Sequence, residues 1–239
     1  INFNSRITFN SEIYNQFFVT ENKLLQTNKF HTGEYYRLFP IVSMKIETPY
    51  KFYKNFYDFT YNPSLQAVIS PGMSNTNKIS NEDSSNNSFT LDNISSLNRF
   101  SGSDKMDNSK RINYGFNIYN NKLNMNIYQS YEFTNNSNFH YVNGDEENFS
   151  DLIGSLEFND SDKSINTTYS FNYDSNKSFL KSQNITFTGP VRIGDIKLKY
   201  LDQRSKTDNL ITQDTETLNY EFGSKEILKF SKINIKGLY

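Results

Sequence analysis

The sequence predicts an all-β fold, an antiparallel meander of about a dozen strands. Apolar residues recur with a period of two, as expected where alternate side chains point to opposite faces of a sheet. Many of these runs span about 9–12 residues, which suits a tilted membrane-spanning strand better than the shorter strands of soluble sheets. Aromatic residues make up 16% of a chain whose mean hydropathy is −0.73. Such a combination is typical of part of a large transmembrane barrel, apolar outside and polar inside.

Individual elements follow from alternation and turns. Clear alternating runs cover residues 112–118, 165–173, 196–201 and 218–222. Short polar turns at 120–121, 160–162 and 174–177 join such runs into hairpins. Proline is expected where strands tolerate it, with Pro40 and Pro49 near strand ends and Pro63 at a bulge or an edge.

A long polar connection from about residue 70 to 110 interrupts this rhythm, and a shorter one spans 134–148. Connections this long without regular structure are usually functional or disordered. Barrels of the outer membrane have short periplasmic turns and long extracellular loops. We therefore expect both connections to lie outside the cell, in a single partial barrel domain over residues 1–239.

The bulk composition excludes several classes of protein. The net charge of −1 argues against a nucleic-acid partner, which usually requires a basic surface. The absence of cysteine removes disulfides and thiolate metal sites. No apolar run is long enough for a transmembrane helix. The first residue is Ile1, with no signal peptide behind it, and we interpret the chain as an internal piece of a longer barrel.

The long loop and its flanks carry Asn-Glu-Asp-Ser at 81–84, Leu-Asn-Arg-Phe-Ser-Gly-Ser-Asp-Lys at 97–105, and Arg111 followed by Tyr114-Gly115. In this order the motifs resemble the signature stretch of the LptD family of lipopolysaccharide-assembly barrels. Further matches are Arg-Leu-Phe-Pro at 37–40, Gln-Ser-Tyr at 129–131 and Ser-Asp-Leu-Ile-Gly at 150–154. The sequence departs from the family at Lys105, often Arg, and at Ser103, often aromatic.

The resemblance implies a parent barrel of about 26 strands behind a periplasmic domain, with the lateral gate and the family's cysteines outside this piece. It implies a role in inserting lipopolysaccharide into the outer leaflet of the outer membrane, among outer-membrane lipids. The implied partners are a plug lipoprotein (LptE-like) and a periplasmic bridge protein (LptA-like). No bond is made in such transport, so we expect no enzyme activity, catalytic residue, cofactor or metal.

The loop motifs supply the candidate site residues. They are Asn81, Glu82, Asp83, Ser84, Asn98, Arg99, Phe100, Gly102, Asp104, Arg111, Tyr114 and Gly115. In one interpretation the loop folds over the lumen and binds the barrel wall, with Arg99 in a bidentate pair with Asp83, Asp92 or Asp104. In the other, its charges only hold the shape of the loop itself.

Other ionisable residues give weaker signals. The acidic run Asp145, Glu146 and Glu147 has the oxygen ligands that divalent cations prefer, but such runs are usually solvated. His31 and His140 have no second ligand at metal-site spacing. We expect ordinary loop or lumen roles for both histidines.

Eight tyrosines are expected on outward faces or at strand ends, some of them in interfacial girdles. They are Tyr114, Tyr119, Tyr128, Tyr131, Tyr169, Tyr173, Tyr200 and Tyr220.

Two alternatives remain open at this point. A generic porin or receptor would share the strands but not the Asn-Arg-Phe-Ser-Gly loop. A soluble carbohydrate-binding β-sandwich would instead bury its aromatic face between two packed sheets.

Overall fold

The computed structural model describes residues 2–24, 30–54, 57–71, 79, 83–84, 90–134, 148–192, 194–207, 210–224 and 234–238. Within these ranges the regular secondary structure is β-strand, apart from one short 3₁₀-helix at Ser161–Lys163. No helix there has the length and apolarity needed to cross a membrane. Thirteen strands are present: β1 Asn2–Phe3, β2 Arg6–Leu24, β3 Phe30–Glu47, β4 Tyr50–Lys54, β5 Tyr57–Ile69, β6 Lys110–Tyr119, β7 Leu123–Glu132, β8 Leu152–Asp160, β9 Ile165–Asp174, β10 Phe179–Val191, β11 Gly194–Thr207, β12 Leu210–Ser224 and β13 Asn234–Leu238.

All these strands belong to one antiparallel sheet in which neighbours in sequence are neighbours in space. From β5 to β13 each strand pairs with the next. At the other edge of the sheet, β1 and β2 together form one long strand with a single interruption. Strands β3 and β4 form a second long strand in the same way. The predicted meander of about a dozen strands is therefore confirmed as eleven strand positions. A sandwich of two packed sheets is excluded for the described residues.

The interruption between β3 and β4 lies at Thr48 and Pro49, opposite Pro63 of β5. The partner of β5 changes here, because residues 57–61 pair with β4 and residues 64–69 pair with β3. The carbonyl of Pro63 still accepts a hydrogen bond from the backbone N–H of Thr48, at 3.3 Å. Proline has no N–H to give to a ladder, so the two prolines fit where the ladder changes partner, as predicted. The prediction that Pro40 lies near a strand end was wrong, because Pro40 lies inside β3. It falls in the part of β3 that does not pair with β5, since that pairing stops at Val42.

The two faces of the sheet differ in character. Met44, Leu65 and Tyr114 project from one face, here called the apolar face, together with many exposed hydrophobic side chains. Ser43, Gln66 and the residues aligned with them form the opposite, polar face. Period-two alternation separates the two sets, as the sequence predicted.

Six of the eight predicted tyrosines lie on the apolar face. These are Tyr114, Tyr131, Tyr169, Tyr173, Tyr200 and Tyr220. The prediction was wrong for Tyr128, which lies opposite Gly115 on the polar face and packs against the loop. Tyr119 also lies on the polar face, but it is the last residue of β6 and so lies at a strand end, as predicted.

Successive connections between strands alternate between the two ends of the sheet. The turns at 120–122 and 161–164 share the first end. The connections from β5 to β6 and from β7 to β8 share the second end, so the two long loops are neighbours. This arrangement brings residues 83–84 and 90–109 to the polar face beside β3, β5, β6 and β7.

Candidate functional site

The long loop is closed at its base by paired serines. The backbone N–H of Ser70 donates to the carbonyl of Ser109 at 3.0 Å, and the N–H of Ser109 donates to Ser70 Oγ at 2.7 Å. Both residues are buried. The two ends of a connection of forty residues are thereby fixed to each other where β5 ends and β6 begins.

Within the loop, Asn98 joins two segments that run back past each other. Its Oδ1 accepts hydrogen bonds from the N–H groups of Phe100 and Asp107, at 3.4 and 3.0 Å. Its Nδ2 donates to the carbonyl of Lys105 at 3.2 Å. One side chain therefore holds the tip at 99–106 in a closed shape, as Asn commonly does in turns.

The carboxylate of Asp83 organises the tip of this loop. It accepts hydrogen bonds from the N–H groups of Ser103 and Asp104, both at 2.9 Å, and from the hydroxyls of Ser84 and Ser103. Burial raises the pKa of Asp83, but these four donors outweigh burial and hold it well below its usual range. In return, the N–H of Asp83 donates to the carboxylate of Asp104 at 3.0 Å.

Gly102 lies directly against Asp83. Its φ of +76° falls in the left-handed region, and a Cβ at this position would lie 2.5 Å from the carbonyl oxygen of Asp83. Conformation and space therefore both require glycine here. The upstream and downstream parts of the motif meet in this contact, although Asp83 and Gly102 are nineteen positions apart in the sequence.

The strand wall binds the tip through Arg37 of β3. Its guanidinium donates to the carbonyls of Ser103 and Asp104, the latter at 2.8 Å, and to Gln16 of β2. Gln16 donates in turn to the carbonyl of Ser103 at 3.3 Å. Arg37 is only 5% exposed. It thus links β2, β3 and the loop.

Four buried charges connect the loop to β6 and β7. Arg99 forms a bidentate pair with Asp107, at 2.5 and 3.1 Å, and its Nη2 lies 3.4 Å from Glu132. Asp107 also accepts from Arg111 Nη1 at 2.9 Å. All four side chains are at most 1% exposed, and their charges balance. A buried group of this kind is stable only when its charges are matched and hydrogen bonded.

This geometry corrects the predicted partner of Arg99. Asp107 takes the bidentate place that the sequence assigned to Asp83, Asp92 or Asp104. Asp83 instead binds backbone N–H groups, and Asp92 is exposed. The interpretation in which the loop binds the wall is supported, because Glu132 belongs to β7 and Arg111 to β6.

Two apolar clusters add to these polar links. In the first, Leu97 and Met106 of the loop pack with Phe39, Ile41 and Val68 of β3 and β5.

In the second cluster, Ile94 and Phe100 of the loop pack with Ile153 of β8, and Leu91 and Tyr128 lie beside them. Lys105 Nζ lies 5.9 Å from the centre of the Phe100 ring. Burying these side chains on the sheet stabilises docking by the hydrophobic effect.

Between the clusters, polar wall residues bind backbone carbonyls of the loop. Gln66 donates to the carbonyl of Ser95 at 3.1 Å, and Asn113 donates to that of Ile94 at 2.8 Å. Asn113 also donates to Gln66 and accepts from Ser130. Side-chain amides of the polar face thus provide the loop with the hydrogen-bond partners that water would otherwise supply.

The structure brings together most of the predicted site residues. Asp83, Ser84, Asn98, Arg99, Phe100, Gly102, Asp104 and Arg111 all lie in the docked loop or directly beneath it. Tyr114 lies on the opposite face, where its hydroxyl donates to Gln129 at 2.7 Å. Gly115 gives room to Tyr128 on the polar face. Asn81 and Glu82 lie outside the described residues.

Sequence reasoning missed Asp107 and Glu132 as functional residues. Glu132 could have been found, because counting outward from the turn at Asn120 places it opposite Arg111. A charged pair on inward positions at the same strand end is a usable signal. The sequence gives no such signal for Asp107, because no feature of the neighbouring residues distinguishes it from the other acidic residues of the loop.

The candidate metal residues give no built site within the described chain. The acidic run at 145–147 and His140 lie outside the described residues, and of His31 only the backbone in β3 is described. Asp202, Asp214 and Glu216 form an acidic group at the loop end of β11 and β12, but Arg204 lies 3.0–3.7 Å from their carboxylates. Ion pairs with Arg204 explain why these three carboxylates lie close together.

Comparison with known families matches residues 3–232 to the family described as LPS transport system D. The match covers nearly the whole chain and includes the docked loop. This chain belongs to the LptD family. No curated protein matched it in a direct comparison of sequences.

Membership fixes the general role. LptD proteins are outer-membrane transport proteins, and the chain has a role in lipopolysaccharide transport to the outer membrane. The family also accounts for the sheet, which forms part of a large outer-membrane β-barrel. A generic porin or receptor would share the strands, but the family match favours the lipopolysaccharide transporter.

Proposed function

We propose that this chain forms part of the barrel wall past which the sugar part of lipopolysaccharide travels to the cell surface. In this proposal the apolar face meets the lipids of the outer membrane and the polar face lines the lumen. The docked loop lies at the extracellular end. The step is transport without bond-making, so no residue acts as a catalyst.

The observation that carries the proposal is the opposite character of the two faces of one sheet. Along β11 the apolar face reads Ile196, Leu198 and Tyr200, and only then Asp202 and Arg204. On β12, Phe222, Tyr220 and Leu218 are followed by Glu216 and Asp214 in the same register. A change from apolar to charged beyond a tyrosine is expected where a hydrocarbon layer ends.

The polar face supports a hydrated path for sugars. Away from the loop it carries Asn117, Asn126 and Ser155, whose side chains hydrogen bond to one another. Such a surface offers hydrogen bonds to a passing saccharide without a strong charge of one sign. The docked loop covers this face at one end.

The partners of the proposal come from the family. A plug lipoprotein within the lumen and a periplasmic bridge protein that delivers lipopolysaccharide would complete the transport route. The buried loop network supports such a role indirectly, because a loop fixed to the wall leaves a defined surface against which a plug can fit.

The orientation is tested by thiol labelling, since this chain has no cysteine of its own, and the protein without an introduced cysteine serves as the background control. Ser101 in the loop and Ser161 in the opposite turn are both exposed and give a matched pair of serine-to-cysteine variants. We expect a membrane-impermeant maleimide to label Ser101→Cys on intact cells. Ser161→Cys should react only after the outer membrane is permeabilised.

Labelling of Ser161→Cys alone on intact cells would reverse the proposed orientation. Equal labelling of both before permeabilisation would argue against a chain that spans the membrane. Lipopolysaccharide at the cell surface, measured in the same strains, checks that the variants still support transport.

A further inference from the structure

A cavity of about 360 Å³ lies on the polar face, beside the docked loop but away from its ion network. Residues 90–92 of the loop form one side, and strands β8 to β11 form the other. Ligand sites for small molecules run from about 300 to 1,000 Å³. The cavity therefore falls at the lower end of that range, and it opens onto the face assigned to the lumen.

Two oxygen atoms of the lining lack donors. Oδ1 of Asn172 and Oδ1 of Asn184 are shielded from solvent and accept no hydrogen bond within the described chain. The side-chain amide of Asn172 lies beside the carboxylate of Asp151, whose negative charge favours the orientation in which the NH₂ group faces it. Asp151 is itself paired with Lys181 at 2.6 Å. Rotation of the amide would turn its oxygen toward that carboxylate.

Buried acceptors of this kind require hydrogen-bond donors. Among the described residues that line the cavity there is no Lys or Arg, and the one charged residue is Asp92. An anion such as phosphate would meet acceptors and a carboxylate, so electrostatics oppose it. A neutral ligand with several hydroxyl groups supplies the donors that are missing.

The rest of the lining suits one surface of a sugar ring. Leu91, Ile153 and Leu201 provide apolar contacts, and Ser170 and Ser182 add hydroxyls that both donate and accept. Small-molecule sites commonly combine an apolar lining with a few placed polar groups that fix orientation. The C–H face of a sugar ring fits against the apolar side chains, and the hydroxyl groups at its edge fit against the two serines.

We infer that this cavity is a binding site for a neutral sugar unit of the transported saccharide. The inference rests on the proposed function, because it requires that saccharide passes along the polar face. It adds that the saccharide is bound at a defined site between the loop and strands β8 to β11.

The test uses the complete protein, purified in detergent, and two probes. One is the oligosaccharide released from lipopolysaccharide by mild acid hydrolysis, and the other is inorganic phosphate. Calorimetry should detect oligosaccharide binding, and the double variant Asn172→Leu/Asn184→Leu should weaken it at least about tenfold, equivalent to losing one good hydrogen bond. Asn166→Leu, on the same face of β9 but outside the cavity, should bind like the unchanged protein.

A second measurement does not depend on that double variant. A photoreactive amino acid at Leu201, in the cavity, should crosslink to the free oligosaccharide, whereas the same group at Leu198 on the apolar face should not. Absence of binding and of crosslinking would overturn the inference, and so would tight binding by the double variant or preferential binding of phosphate. Free oligosaccharide needs no transport, so these failures would leave the thiol-labelling result and the proposed function intact.

Discussion

Arg99 and Asp107 lie eight residues apart in one loop, yet they form a bidentate ion pair that solvent does not reach. Asp107 shares its carboxylate with Arg111 of β6, and Arg99 reaches Glu132 of β7. The buried charges of the loop and of the strands therefore neutralise one another. Removing one of them leaves an opposite charge buried without its ion-pair partner.

We predict that Asp107→Asn destabilises the docked loop by about 3–5 kcal/mol, the usual cost of breaking a buried ion pair from one side. The amide is nearly the same size, so the loss arises from charge rather than from packing. Hydrogen exchange of the loop amides measures the change in opening free energy. Asp92→Asn, at an exposed acid of the same loop, is the control and should leave exchange unchanged. Equal protection in both variants would show that the network does not hold the loop.

The contact between Gly102 and Asp83 gives a second prediction. Gly102→Ala should release the tip of the loop, because alanine disfavours the φ of +76° and its Cβ would lie 2.5 Å from the Asp83 carbonyl oxygen. Limited proteolysis on intact cells should then cut the loop faster. Gly102→Asn separates the two causes, since asparagine tolerates the left-handed region but carries the same Cβ. Cleavage of Gly102→Asn at the original rate would mean that backbone conformation, not space, explains the glycine.

Asp83 gives the loop a dependence on pH. Its folded pKa lies below the unfolded value of about 3.9, so the carboxylate contributes stability above about pH 4, and this is lost as pH falls toward the folded pKa. Because Asp83 is exposed, we expect loosening of the tip rather than unfolding of the sheet. A spin label at Ser101→Cys should become more mobile on acidification. Asp83→Asn should show high mobility already at neutral pH and no change over the same range; a persistent acid transition would assign it to another group.

Most of the fold could be predicted because a strand is specified locally. Alternation placed Ile112 and Ile118 on one face, and the polar residues at 120–121 fixed the hairpin that follows. The loop could be recognised as important from its motif, but its contacts depend on residues brought together over long distances in sequence. Arg37 and Ser103 illustrate this, because the bond between them joins residues 66 positions apart and one partner is a backbone carbonyl. No pattern of side chains indicates such a partner.

Gly115 shows how a strand residue can serve the loop. It lies opposite Tyr128, and a Cβ at Gly115 would lie 2.2 Å from the carbonyl oxygen of Ile127 and 2.5 Å from the Tyr128 ring. The close approach lets the ring of Tyr128 pack beside Ile94, Phe100 and Ile153. One missing side chain on β6 therefore helps to form the surface on which the loop docks.

We predict that Gly115→Ala disrupts the pairing of β6 and β7, with a smaller yield of folded barrel as measured by the heat-dependent shift of its band on a gel. Tyr128→Ala should leave folding largely intact, but it should increase hydrogen exchange of the loop around Ile94 and Phe100. Combining the two changes distinguishes the causes of the Gly115→Ala defect. If the ring alone were in the way, the double variant would fold like Tyr128→Ala. We expect little rescue, because the shorter contact is to the carbonyl of Ile127, which removal of the ring does not move.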